Sequence, residues 1–140
     1  MLVNFNEMLS LAKRDGYAIG SFNAYSYETI RGIIDAGSQA GSAGTIVAFG
    51  KKYLENMALE DAVAITSALA ARTDMPVCLH LDHCDDIDVI RKSIAAGFTS
   101  VMYDGSALPF AQNAANTRLV CDMAHAAGVS VEAELGSLAS

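Results

Sequence analysis

The sequence predicts an α/β fold built on a parallel sheet. Short apolar, β-branched runs recur along the chain, and segments of helical period separate them. The breaks between them fall at glycine or proline, and that alternation places a whole helix in each crossover between strands. At 140 residues the length suits one domain with a sizeable core.

Each element follows in turn. "MLSLAK" (8–13) reads as a short leading helix ended at Gly16, and "YAIGSFN" (17–23) as the first strand. Ser26 is a candidate N-cap for the helix "YETIRGIIDAGSQA", with Ile30, Ile33, Ile34 and Gly37 on one face and Gly41 as its stop. "TIVAF" (45–49) is the second strand. A helix over 59–72 follows, with Leu59, Ala62, Val63, Thr66 and Leu69 at helical spacing. Pro76 opens the third strand "PVCLHL", a position where a strand tolerates proline. The next helix, "DDIDVIRKSIAAG", is expected to carry Asp85 and Asp86 in its first turn and Gly97 at its end. "FTSVMY" (98–103) is the fourth strand, Pro109 starts a helix reaching Ala127, and "VSVEAEL" (129–135) is the fifth strand.

Composition narrows the function. With 52% hydrophobic and 18% charged residues the chain is not of the disordered class. A net charge of −7 argues against nucleic acid or an anionic membrane as partner, because both need positive patches. No run approaches a membrane span, and the first residues lack the pattern of a signal peptide. Three cysteines without a C-x-x-C pair (Cys78, Cys84, Cys121) suit a reduced compartment, so a cytoplasmic protein is expected.

Polar residues gather at the C-terminal ends of the strands. The first strand delivers Asn23, the third Asp82 and His83, the fourth Asp104, and the fifth Glu132 and Glu134; the second delivers only Gly50. In parallel α/β folds ligand-binding groups converge at that edge. A solvated turn would favour lysine, serine or glycine, so the pattern favours a site. His80 shares the face of Asp82 two residues on and reads as a satisfied core histidine. His83 falls where the strand yields to a turn and is free to face a mouth. Cys84 reads as packing, His125 carries no functional claim, and the face of Tyr103 is undecided. One histidine cannot hold zinc alone, and the other ligands on this edge are the carboxylates Asp104 and Glu134.

The runs "PVCLHLDHCDD", "GFTSVMYDGSALPFAQN" and "GVSVEAELGSL", in that order, resemble the class II, zinc-dependent ketose-bisphosphate aldolases, from about residue 5 to 138. The run "LPFAQN" leans toward the tagatose branch of that family. The resemblance implies a (β/α)8 TIM barrel, of which this chain would supply about five of eight strands as the N-terminal part of one domain. It implies aldol cleavage of a ketose 1,6-bisphosphate to dihydroxyacetone phosphate and glyceraldehyde 3-phosphate, a glycolytic type of lyase chemistry, in a homo-oligomer (dimer or tetramer). By the same resemblance Asp82 is the acid/base at the C4 hydroxyl and His83 a ligand of catalytic Zn2+. Asp104 and Glu134 line the site and can hold a second cation, and Asn23 lies near the substrate.

Two departures accompany it. Gly50 stands where relatives carry a hydroxyl residue, and "GSLAS" stands where they continue into a glycine-rich acidic stretch. The family's other two zinc histidines fall beyond residue 140, and a full barrel takes about 250 residues. Two alternatives therefore accompany the aldolase reading. One is a truncated, non-catalytic half-barrel; the other is a pair of copies sharing a metal site made by His83, Asp104 and Glu134.

Overall fold

The computed structural model describes residues 1–136. In order, its elements are α1 (Phe5–Asp15), β1 (Gly20–Asn23), α2 (Tyr27–Gln39), β2 (Thr45–Gly50), α3 (Leu59–Ala70), β3 (Val77–Cys84), α4 (Ile87–Ala96), β4 (Ser100–Tyr103), α5 (Phe110–Ala126) and β5 (Ser130–Ala133). Each strand pairs in parallel with the next, in the order β1-β2-β3-β4-β5. Right-handed crossovers without a reversal of strand order put α2 to α5 on one face of the sheet. A doubly wound sheet reverses its order and carries helices on both faces; this winding is that of a barrel segment. The expected parallel α/β architecture is borne out.

Local chemistry sets the helix ends. The Asn4 side chain accepts from the Glu7 amide at 3.0 Å to start α1, and Gly16 closes it in the left-handed conformation. Ser26 and Thr29 form a reciprocal capping box on α2. Asp86 accepts from the amides of Asp88 and Val89 to start α4. Asp85 and Asp86 therefore lie ahead of the helix, not in its first turn. Asp86 is the cap, and Asp85 is drawn away by Lys51 at 2.6 Å.

The two faces of the sheet differ. Val47, Phe49, Val77, Leu79, Leu81 and Val101 pack under the helices in one continuous core. The opposite face begins apolar, where Ile46 and Cys78 meet Val3 and Met8 beneath α1. β2 is buried along its whole length, whereas β1 is exposed along its own.

Several boundaries move relative to expectation. α1 is longer at both ends than 8–13, because its cap lies at Asn4. β1 begins at Gly20 rather than residue 17, since only four residues find partners on β2. β3 runs on to Cys84 instead of stopping at Leu81. β4 and β5 shorten to 100–103 and 130–133 because their register pairs only those residues, and α3 ends at Ala70. A 3₁₀ turn at Lys51–Glu55, absent from the sequence reading, follows β2. Tyr103 faces the helices, and Asn116 donates to its hydroxyl at 2.7 Å. Among the described residues no helix is long and apolar enough to cross a membrane. The stretch 137–140, including most of "GSLAS", lies outside the described residues.

Candidate active site

β3 carries the centre of the site. Its residues alternate between faces, so Cys78, His80 and Asp82 form one column and Val77, Leu79 and Leu81 the other. Strict alternation would turn His83 back toward the helices. The pairing with β4 prevents this, because Leu81 aligns with Val101 while Cys84 aligns with Tyr103. One extra residue on β3 makes a bulge, a device that re-aims side chains. His83 absorbs it with φ at 44°, the only non-glycine residue of positive φ among those described. Leu81 and Cys84 both stay in the helix-side core, and Asp82 and His83 both line one open cavity.

The imidazole of His83 is fastened on one side. Its Nδ1 lies 2.9 Å from Asp104 Oδ2 and 3.7 Å from Glu134 Oε2. The Asp104 contact, the largest cause, raises the pKa of His83 above the ordinary histidine range. Asp104 is itself fixed: Ser106 donates to Oδ1 from its hydroxyl at 2.6 Å and from its amide at 3.1 Å. Ser106 first, then His83, hold the Asp104 carboxyl below its usual range. The buried Asn113 of α5 donates to the Glu134 carbonyl at 2.8 Å, tying down the end of β5. Gly105 lies so close to Asn113 and the Tyr103 ring that a Cβ there would collide with both.

One atom each from His83, Asp104 and Glu134 lies within 4.8 Å of the others. Imidazole with carboxylates is a donor set that zinc and other divalent cations accept. A closed zinc site takes four ligands, and the described residues gather three here. The donor set fits a cation.

Asn23 at the end of β1 lines a cavity of about 320 Å³ with Gly50, Lys51, Lys52, Asp82 and His83. Lys51 is paired with Asp85, while the Lys52 ammonium lies 5.0 Å from the centre of the Tyr53 ring. Below Asp82, His80 is 1% exposed, stacked on Phe5 at 4.7 Å, with Nδ1 2.9 Å from Ser100 Oγ. Its Nε2 lies 3.2 Å from Glu132 Oε2 and 3.8 Å from Asp82 Oδ1, yet it is aligned with neither and has no hydrogen-bond partner. The expectation of a satisfied core histidine therefore holds for one ring nitrogen only. A buried polar atom left unpaired costs about 1–3 kcal/mol. His80, the largest cause, holds the Glu132 carboxyl below its ordinary range.

Asn23, Asp82, His83, Asp104 and Glu134 thus share one strand edge, as their positions in the sequence led one to expect. Cys84 is buried packing, its thiol pushed up by that burial. His125 sits in the last turn of α5, apart from this edge. The sequence reading missed Ser106, Asn113 and the two lysines. Ser106 and Asn113 stand within the quoted run "DGSALPFAQN", but nothing in their spacing says what they touch.

The comparisons with known proteins point one way. The family model described as fructose-bisphosphate aldolase class-II matches residues 3–140. A sulfofructosephosphate aldolase of Alkalicoccus urumqiensis is 41% identical over 131 residues, covering 94% of this chain and 45% of that protein. A fructose-bisphosphate aldolase of Helicobacter pylori is 40% identical over 139 residues, covering 99% and 45%. The crystal structure of the YdjI aldolase from Escherichia coli K12 superposes with a TM-score of 0.90 at 33% identity, over 97% of this chain and 51% of that one. Fructose-bisphosphate aldolase from Campylobacter jejuni, at 22% identity and a TM-score of 0.85 over 99% of this chain and 47% of that one, shares the fold. The chain spans about half the length of the curated relatives it matches.

Proposed function

We propose a function from one premise: this chain belongs to the class II fructose-bisphosphate aldolase family. The whole protein carries out reversible aldol cleavage of a ketose 1,6-bisphosphate, tagatose or fructose, to dihydroxyacetone phosphate and glyceraldehyde 3-phosphate. Sulfofructose phosphate is a further substrate to assay, since a relative 41% identical over 131 residues is a sulfofructosephosphate aldolase.

The observation that supports this most is the bulge in β3, which turns Asp82 and His83 into the same cavity. A carboxylate beside a cation ligand is the pairing that this chemistry needs. Asp82 takes the proton of the C4 hydroxyl in cleavage and returns it in condensation, as a general base and then acid. His83, with Asp104 and Glu134, would hold the cation, zinc in our reading, with a second cation on the two carboxylates. Bound there, the cation would stabilise negative charge developing on the ketose carbonyl oxygen. Asn23 orients the sugar from the facing strand end. Lys52 brings positive charge to the mouth of a chain of net charge −7, which suits an anionic substrate, and Lys51 stands beside it in its pair with Asp85.

The reading includes a cytoplasmic homo-oligomer, dimer or tetramer. Phe22, 53% exposed on β1, and Phe110, 68% exposed beside β5, lie at the two sheet edges against which the remaining strands of a barrel would pack.

The test uses protein expressed from the native coding region. Cleavage of tagatose and fructose bisphosphates and zinc content are measured for the native form, Asp82→Ala and His83→Ala. Asp82→Ala should lose about 10²–10⁴-fold in turnover, the usual contribution of a positioned acid/base, and keep its zinc. His83→Ala should lose the metal. Near-native turnover in Asp82→Ala would sink the assignment.

A further inference from the structure

Beneath the cavity, His80 is held too firmly, and left too incompletely bonded, to be only a filler of the core. Its ring is clamped on three sides. Phe5 stacks on one face at 4.7 Å, the β3 backbone fixes one end, and the buried Ser100, its register partner on β4, meets Nδ1 at 2.9 Å. The remaining nitrogen, Nε2, is buried without a partner. Two carboxylates stand within reach of it, Glu132 at 3.2 Å and Asp82 at 3.8 Å, neither in line with its N–H.

The chemistry of those neighbours decides where the proton sits. An ionised carboxylate only accepts hydrogen bonds, so both neighbours of Nε2 demand an N–H there. With the proton on Nε2, a neutral ring accepts at Nδ1, and the Ser100 hydroxyl, which can donate, supplies that bond. The two carboxylates therefore select the tautomer, Ser100 accommodates it because its hydroxyl can donate to Nδ1, and the N–H is presented between Asp82 and Glu132.

We infer that His80 is a positioning residue for Asp82: its Nε2–H, held in place by Ser100 and Phe5 and shared with the nearer carboxylate of Glu132, holds one oxygen of the Asp82 carboxylate and leaves the other to the substrate hydroxyl. This rests on the acid/base role proposed for Asp82 and adds what orients it. At 3.8 Å the contact is open and needs a small rotation of the Asp82 side chain to close. Catalytic hydrogen bonds in unliganded sites are commonly long and tighten with substrate. The alternation of the strand gives the arrangement its economy: residues two apart on β3 share a face, so support and acid/base sit one above the other.

Two measurements test it on protein expressed from the native coding region. In the first, His80→Phe keeps the ring and its stacking on Phe5 but removes the N–H, and His80→Gln restores a donor at that reach. His80→Phe should lower kcat about 10²-fold, the scale of a misplaced catalytic group, with KM within about twofold and zinc content unchanged. His80→Gln should recover much of that loss. A kcat within twofold of native in folded His80→Phe, or a loss that follows zinc, overturns the inference. The second measurement needs no activity and no variant of His80: ring-nitrogen NMR of the native protein. A proton on Nε2 of His80, with a resonance that moves in Asp82→Asn, supports the contact; a proton on Nδ1 alone overturns it. A native protein that cleaves no ketose phosphate defeats the aldolase reading, and the NMR result still decides whether His80 holds Asp82.

Discussion

The two faces of β3 are neighbours in sequence and opposites in design. On the helix side, Val77, Leu79 and Leu81 are fully buried in the main core. On the inner side, Cys78, His80 and Asp82 pass from an apolar floor to a buried imidazole to a carboxylate 28% exposed at the mouth. On β3 itself the helix-side face gains its free energy from the burial of apolar side chains. The other carries an unpaired buried nitrogen and, at the bulge, a histidine of positive φ. The difference teaches that stability and chemistry are separated by a single residue step, which makes them separable by mutation.

The largest effects should fall on opposite sides of that separation. Leu79→Ala on the helix side should lower unfolding free energy by about 2–5 kcal/mol, the range for a buried leucine. Asp82→Ala, on the mouth side, should change stability by less than about 1 kcal/mol while it lowers turnover of the whole protein about 10²–10⁴-fold. Denaturant melts and cleavage assays on both variants check this. An Asp82→Ala protein as unstable as Leu79→Ala would show that the inner column is part of the scaffold.

A smaller effect is expected where the two regions touch. Gly105 lies between Tyr103, which belongs to the helix-side core, and Asn113, which carries the end of β5. Gly105→Ala forces a Cβ into both. Overpacking of this kind costs about 1–3 kcal/mol. Because Asn113 holds the Glu134 carbonyl, cation affinity measured by calorimetry should fall as well. Loss of stability without loss of affinity would separate Glu134 from the cation.

The legibility of the molecule follows the same division. The strand–helix order could be read because each helix-side face repeats apolar residues at a fixed period, and burial enforces that period. Ser26 and Gly97 could be read as a cap and a stop because capping is local chemistry. The bulge could not. Nothing in "LDHC" distinguishes a strand that ends at Leu81 from one that continues with an extra residue, and the choice is made by the register with β4. Asp104 and Glu134 were legible as strand-end carboxylates, whereas Ser106 and Asn113, which fix them, act through contacts that no spacing encodes. The same holds for Lys51, which reaches Asp85 across 34 residues of sequence.

The contact between His83 and Asp104 should show in pH dependence, though weakly. His83 keeps its proton to higher pH than a free histidine (6.5), and Asp104 stays ionised to lower pH than a free aspartate (3.8). A raised histidine stabilises the fold below its unfolded pKa, and that contribution is lost as pH climbs through the folded value. A lowered aspartate stabilises above its unfolded pKa and loses that contribution as pH falls through the folded value. The pair therefore contributes fully between 3.8 and 6.5 and fades on either side. With His83 61% exposed, solvent screens the contact and keeps it small. Cation-free protein should melt slightly higher near about pH 5.5 than near about pH 8.5, and Asp104→Asn should reduce that difference. A difference unchanged in Asp104→Asn would assign it to other groups.

The smallest expected effect is the most diagnostic of what the inner face is for. A non-glycine residue in the left-handed region costs roughly 1–2 kcal/mol. Glycine adopts that conformation freely, though it brings about 0.5–1 kcal/mol of extra unfolded-chain entropy. His83→Gly removes the exposed contact with Asp104, which is worth little, and relieves the backbone at φ 44°. The terms nearly cancel, so the cation-free protein should be as stable as native or more stable by up to about 1 kcal/mol. Metal content, by contrast, should fall with the imidazole. A residue whose removal leaves the fold unharmed while the site fails is held in strain for the sake of the site. If His83→Gly instead destabilises by as much as Gly105→Ala, the bulge depends on the histidine itself, and the two faces of β3 are less separate than their burial makes them look.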